Sequence, residues 1–155
     1  MELLIDLWNI ATDWRLIFLM LSLVAMIVLT LWVFGRTSKA RMAAGKEGRI
    51  TAADYAIVGR DEPEDLAAYT RLIVNLFELP VLFYVLVLSF AVLSIESWLT
   101  VALAWSFVVL RFFHARIVID GNRVMKRRRM FIRGVKVFML LLLVFCVSLV
   151  FFADL

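Results

Sequence analysis

The chain has 155 residues, of which 65% are hydrophobic and 19% charged, with a formal net charge of +4 and a mean hydropathy of +0.97. That balance lies far outside the range of soluble domains and points to one polytopic α-helical membrane domain, with no room for a separate soluble module. The positive charge argues against nucleic acid as a partner, because apart from Arg15 every Lys and Arg lies within residues 36–71 or 111–136.

Four apolar stretches predict spans over about residues 14–35, 68–94, 98–119 and 133–153, each close to the length that crosses a hydrocarbon core. The positive-inside rule places both basic segments in the cytoplasm and both termini on the far side. Trp8, Trp14 and Trp98 then gather at the outer interface and Trp32 at the inner one. The residues before the first span are acidic and include no small-residue cleavage site, so that span is expected to be retained.

The first span is apolar on every face and is expected to end at Gly35, with Arg36 as an interfacial anchor. Residues 43–60 predict an irregular connection. Asp61, Glu62, Pro63, Glu64 and Asp65 then read as a helix start, with Asp61 as an acidic cap and proline in the first turn. The second helix carries Arg71, Asn75 and Glu78 on one narrow stripe just ahead of Pro80, and ionisable groups written into a span mark a site by default. Residues 94–97 form a tight outer turn, so the second and third spans make an antiparallel hairpin.

The third span stays apolar until Arg111 and His114, which share a face about 20 Å from its start, at the depth of Asn75 and Glu78. Arg116 points elsewhere. Asp120, Gly121 and Asn122 mark a break, followed by a basic run that holds a loop against anionic lipid. Within that run Arg123 and Arg127, four apart, share a face turned toward the cluster. The last span is packing material, and its single Cys146 offers neither a disulfide nor a metal framework.

Glu78 beside Arg71, Arg111 and His114 makes a site with surplus positive charge at the inner membrane boundary. Such a site suits a ligand carrying carboxylates, with Glu78 and Asn75 available to its ammonium or amide groups. One histidine and one carboxylate are too few for a metal, and no Ser/His/Asp or Cys/His set is apparent. A proton pathway lacks a further deep acid, which makes a small transporter the weakest reading.

Arg71, Asn75 and Glu78 followed by Pro80, then Arg111 with His114, then Arg123 with Arg127, together resemble the MAPEG family, the membrane-associated proteins of eicosanoid and glutathione metabolism. The resemblance covers almost the whole chain and implies a four-helix membrane bundle assembling as a homotrimer. It implies a glutathione site between subunits near the cytoplasmic face, with glutathione as co-substrate and a lipophilic small molecule admitted from the bilayer. It assigns Arg71, Asn75 and Glu78 to holding glutathione, Arg111, His114 and Arg123 to its carboxylates or surroundings, Arg36 to a further contact, and Arg127 to stabilising the thiolate. The function implied is a glutathione-dependent transferase or peroxidase in a bacterial inner membrane. The chain departs from the pattern at Val118 and Phe131, where enzymes of the family commonly carry tyrosines. The alternative reading is therefore a lipid-binding or scaffold member without catalysis.

Overall fold

The structure, a computed structural model, describes residues 13–51, 54 and 62–153. Asp61 and Trp8, both given roles above, lie outside those residues. Four helices account for nearly all of the described chain: α1 (Trp14–Lys46), α2 (Glu64–Leu93), α3 (Trp98–Ile119) and α4 (Val124–Ala153). Each is long and apolar enough to cross a membrane, and the protein is an integral multi-pass membrane protein.

Local chemistry sets the ends. Asp13 caps α1 by accepting the Arg15 amide and guanidinium, each at 2.9 Å. The helix does not stop at Gly35; it runs eleven residues further, with Thr37 and Ala44 buried and Ala44 packed with Leu66 at the start of α2. It ends where Gly48 takes a positive φ of 70° and the Arg49 amide reaches back to the Ala44 carbonyl at 2.9 Å, as a left-handed glycine allows. Just beyond, Asp54 accepts the Thr51 amide and hydroxyl at 2.6 and 2.9 Å; these bonds hold its carboxyl below the usual carboxylate range.

Pro63 occupies the N-cap position of α2, one step before the first turn expected for it, and makes no side-chain cap. Glu62 instead joins a polar network. Arg41 donates to Glu62 at 3.1 Å and to Thr70 at 2.7 Å, and the Thr70 hydroxyl donates to Glu62 at 2.6 Å. This network ties the end of α1 to the start of α2. Beyond it Ala44, Ile50 and Leu66 form a small second core.

α2 continues through Pro80 and turns at Ser94, which is left-handed. Ser97 and Thr100 then form a reciprocal capping box for α3. α3 ends at the expected break, where Gly121 and Asn122 both have positive φ. α4 starts at once, at Val124, so the basic run is helix and not the loop expected.

α3 is the central element, touching all three others and packing most extensively on α4. Phe83 stacks on Phe107 at 4.6 Å and Phe107 meets Phe138 at 6.0 Å, joining α2, α3 and α4 in the core. α1 and α3 run parallel. Phe18 lies opposite Trp98 at 6.2 Å and Trp32 opposite Phe112 at 6.0 Å, and the Trp105 indole donates to the Phe18 carbonyl at 3.0 Å.

Candidate functional site

Arg111 and His114 are the polar residues that the fold buries most unexpectedly. They lie three apart on α3, both turned toward α4, and are 2% and 4% exposed. A guanidinium in such a place costs several kcal/mol unless its donors are met. Two aromatic rings supply part of the compensation. The guanidinium carbon is 5.1 Å from the Phe107 centroid, one turn earlier on α3, and 5.2 Å from that of Phe131 on α4. The remainder is missing, because Nε and Nη2 of Arg111 have no hydrogen-bond partner.

Those two atoms are the donors of one side of the planar guanidinium, the fork that grips a carboxylate or phosphate through two parallel bonds. Gly134 of α4 faces this side: a Cβ built on it would lie 3.9 Å from Arg111 Nε. A methyl group there would make ordinary van der Waals contact with Nε, leaving no space for a longer side chain in that direction.

His114 is fixed from the same helix. Its Nδ1 lies 3.3 Å from the Arg127 carbonyl; the carbonyl only accepts, so Nδ1 carries a proton and donates. The ring packs 5.8 Å from Phe131, and Nε2 is buried without a partner. Arg127, half-buried, donates through Nη1 to Asn122 Oδ1 at 2.6 Å. The left-handed turn that ends α3 thus aims the Arg127 side chain. The charges of Arg111 and Arg127 both reach His114, and that of Glu78 reaches Arg111.

Of the sequence-predicted residues, Arg111, His114 and Arg127 are therefore brought together, with Glu78 acting electrostatically on Arg111. Arg71 and Glu78 are exposed and Asn75 half-buried, because α2 turns Leu72, Leu76 and Phe83 inward. The polar stripe thus faces largely away from the core of the chain and is not the buried feature expected. Arg36 and Arg123 are exposed as well. Among the described residues none of these five side chains hydrogen-bonds to Arg111 or His114. Sequence reasoning missed Phe107 and Gly134. The spacing of four between Phe107 and Arg111 was the available signal for the first, and a glycine in a helical run opposite a cation was the signal for the second.

Next to Asn122 a mixed cavity of about 550 Å³ opens between α1, α2 and the end of α3, lined by Arg49, Asp65, Tyr69 and Val118 among others. Arg49 bridges Asp65 at 3.0 Å and Glu47 at 2.8 Å, and these carboxylates hold its guanidinium above its ordinary pKa. Val118 is buried and offers this cavity no hydroxyl.

Comparison with known proteins gives one result. The model of the MAPEG family matches residues 19–149. No curated protein and no solved structure matches the chain.

Proposed function

The chain belongs to the MAPEG family, and from that premise we propose that it is a membrane-bound glutathione-dependent transferase or peroxidase acting on lipophilic electrophiles at the cytoplasmic leaflet. Arg111 carries this reading: it is a buried fork with Nε and Nη2 unmet, suited to a ligand carboxylate. Arg71, Asn75 and Glu78, on the outer face of α2, form a second wall that a neighbouring subunit of a homotrimer would close. Arg123 and Arg36, both exposed, are assigned to the surroundings of the ligand.

In this reading Arg127 stabilises the thiolate. A thiol with a pKa of about 8.5 is mostly protonated at neutral pH, and a fixed guanidinium favours the nucleophilic form. The thiolate attacks an electrophilic carbon, the new C–S bond forms as the leaving group departs, and the thiol proton passes to solvent. The placement has both termini periplasmic in a bacterial inner membrane, with the peptide entering from the cytoplasm and the electrophile from lipid.

Calorimetry on the detergent-purified protein tests the proposal. Saturable glutathione binding is expected, lost in Arg71→Ala or Glu78→Gln, and no binding at millimolar glutathione would sink it.

The second reading is a lipid-binding or scaffold member without catalysis, favoured by Phe131, whose ring covers Arg111 and His114 without a hydroxyl. A panel of electrophiles separates the two. Robust thiol conjugation rules out the second, and conjugation appearing only in Phe131→Tyr supports it.

A further inference from the structure

On another face of α3 from Arg111, an almost wholly apolar groove of about 490 Å³ runs between α1 and α3. Ala25, Val28 and Trp32 form one wall and Val108, Val109 and Phe112 the other. Neither reading of the site uses it.

What lies at its end identifies an occupant. α1 and α3 are parallel and in register, with Trp32 opposite Phe112 at 6.0 Å. Arg36 and Arg116 each lie four residues beyond that pair, and both are exposed. They therefore come to one level, on stripes that continue the two walls. Arg116 is about 27 Å along α3 from Trp98 at 1.5 Å per residue, near the edge of a hydrocarbon core about 30 Å thick. From that level the groove reaches about 16 Å inward, to Ala25. An apolar slot at acyl depth, topped by two guanidiniums at headgroup depth, matches the two halves of an acidic lipid. One carboxylate opposes this, because Asp120 accepts from Arg116 Nε at 2.9 Å and partly neutralises it.

We propose that the groove between α1 and α3 holds one acyl chain of an anionic phospholipid, whose phosphate bridges Arg36 and Arg116. The site depends on one subunit only and shares Arg36 alone with the glutathione reading, so Arg116 is the residue that tests it.

The full chain, reconstituted in vesicles of equal phosphatidylcholine and phosphatidylglycerol and re-extracted in mild detergent, is weighed by native mass spectrometry. One phosphatidylglycerol retained per subunit is expected, favoured roughly five-fold for each arginine. Arg116→Gln should lower that preference about five-fold, and Asp120→Asn should raise it. Val28→Trp, which fills the slot, should remove the retained lipid with the helical melting curve unchanged; if that variant misfolds, Arg116→Gln decides alone.

Equal retention of both lipids, or a preference unchanged by Arg116→Gln, overturns the proposal. So does a second copy of the chain across the groove, seen as a disulfide-linked dimer of Val28→Cys in a Cys146→Ala background. Glutathione binding measured on the same Arg116→Gln sample is expected to be unaltered, which keeps failure here distinct from failure of the glutathione reading.

Discussion

Replacing Arg111 by methionine should make the free protein more stable while destroying its ability to bind glutathione. Methionine matches the stem of the side chain to about the position of Nε and leaves an apolar, flexible group beside Phe107 and Phe131. The two orphaned donors, Nε and Nη2, each cost about 1–3 kcal/mol in the ligand-free state, and the substitution removes that cost. It also removes two cation–π contacts worth about 0.5–2 kcal/mol each and the attraction of Glu78. The balance favours the variant by about 1 kcal/mol, at the lower end of the range found when buried charges yield to apolar side chains. For a chain of this size that raises the melting temperature by about 2–4 °C. Thermal unfolding in micelles, followed through the protein's five tryptophans, measures it with and without saturating glutathione. Wild type should gain stability from the ligand and Arg111→Met should not. A variant that melts lower than wild type, or that binds glutathione with unchanged affinity, would refute the account of Arg111 as a ligand fork held empty at a cost.

Asn122→Gly removes the 2.6 Å tether on Arg127 while suiting the positive φ at that position. Folding should survive and conjugation turnover should fall at least about ten-fold with binding little changed, as an untethered guanidinium stabilises the thiolate less well; equal losses in binding and turnover would contradict this. Trp105→Phe deletes the 3.0 Å bond from the indole to the Phe18 carbonyl and should cost about 1 kcal/mol, read as a lower melting temperature without loss of glutathione binding. Asp54 has its carboxyl pKa lowered by the Thr51 amide and hydroxyl. Its contribution to the local turn is fully present above the unfolded pKa and fades as pH falls through the folded one. Amide exchange at Thr51 should accordingly show protection at pH 6 that fades only as pH falls below the ordinary carboxylate range, and protection independent of pH would count against the bond.

The membrane spans were legible because a run of twenty apolar residues has few alternatives, and the break at Gly121 and Asn122 was equally plain. The helix limits were not. Gly35 looked like a terminator, yet nothing lies within 4 Å of its would-be Cβ, and the packing of Ala44 with Leu66 carries the helix past it. The basic run looked like loop because of its charge, although Arg, Lys and Met are good helix formers once a left-handed turn has already reversed the chain. The site divided in the same way. Periodicity put Arg71, Asn75 and Glu78 on one stripe and Arg111 with His114 on another. Which stripe faces inward depends on how neighbouring helices compete for the core, and periodicity carries no information about that. The rings that sandwich Arg111 come from two helices, so only Phe107 had a local signature.

The small core of Ala44, Ile50 and Leu66 lies beyond the Arg41–Glu62–Thr70 network, past the apolar length of α1, and so it is held together by a different force from the rest of the protein. Among lipid tails, burying leucine against leucine releases no ordered water, and the bundle relies on close packing. At the water-facing tip the hydrophobic effect operates, with its dependence on temperature and solutes. Chilling or dilute urea therefore loosens the junction of α1 and α2 while the spans stay assembled, so one short chain comes apart in two stages that answer to different solvents.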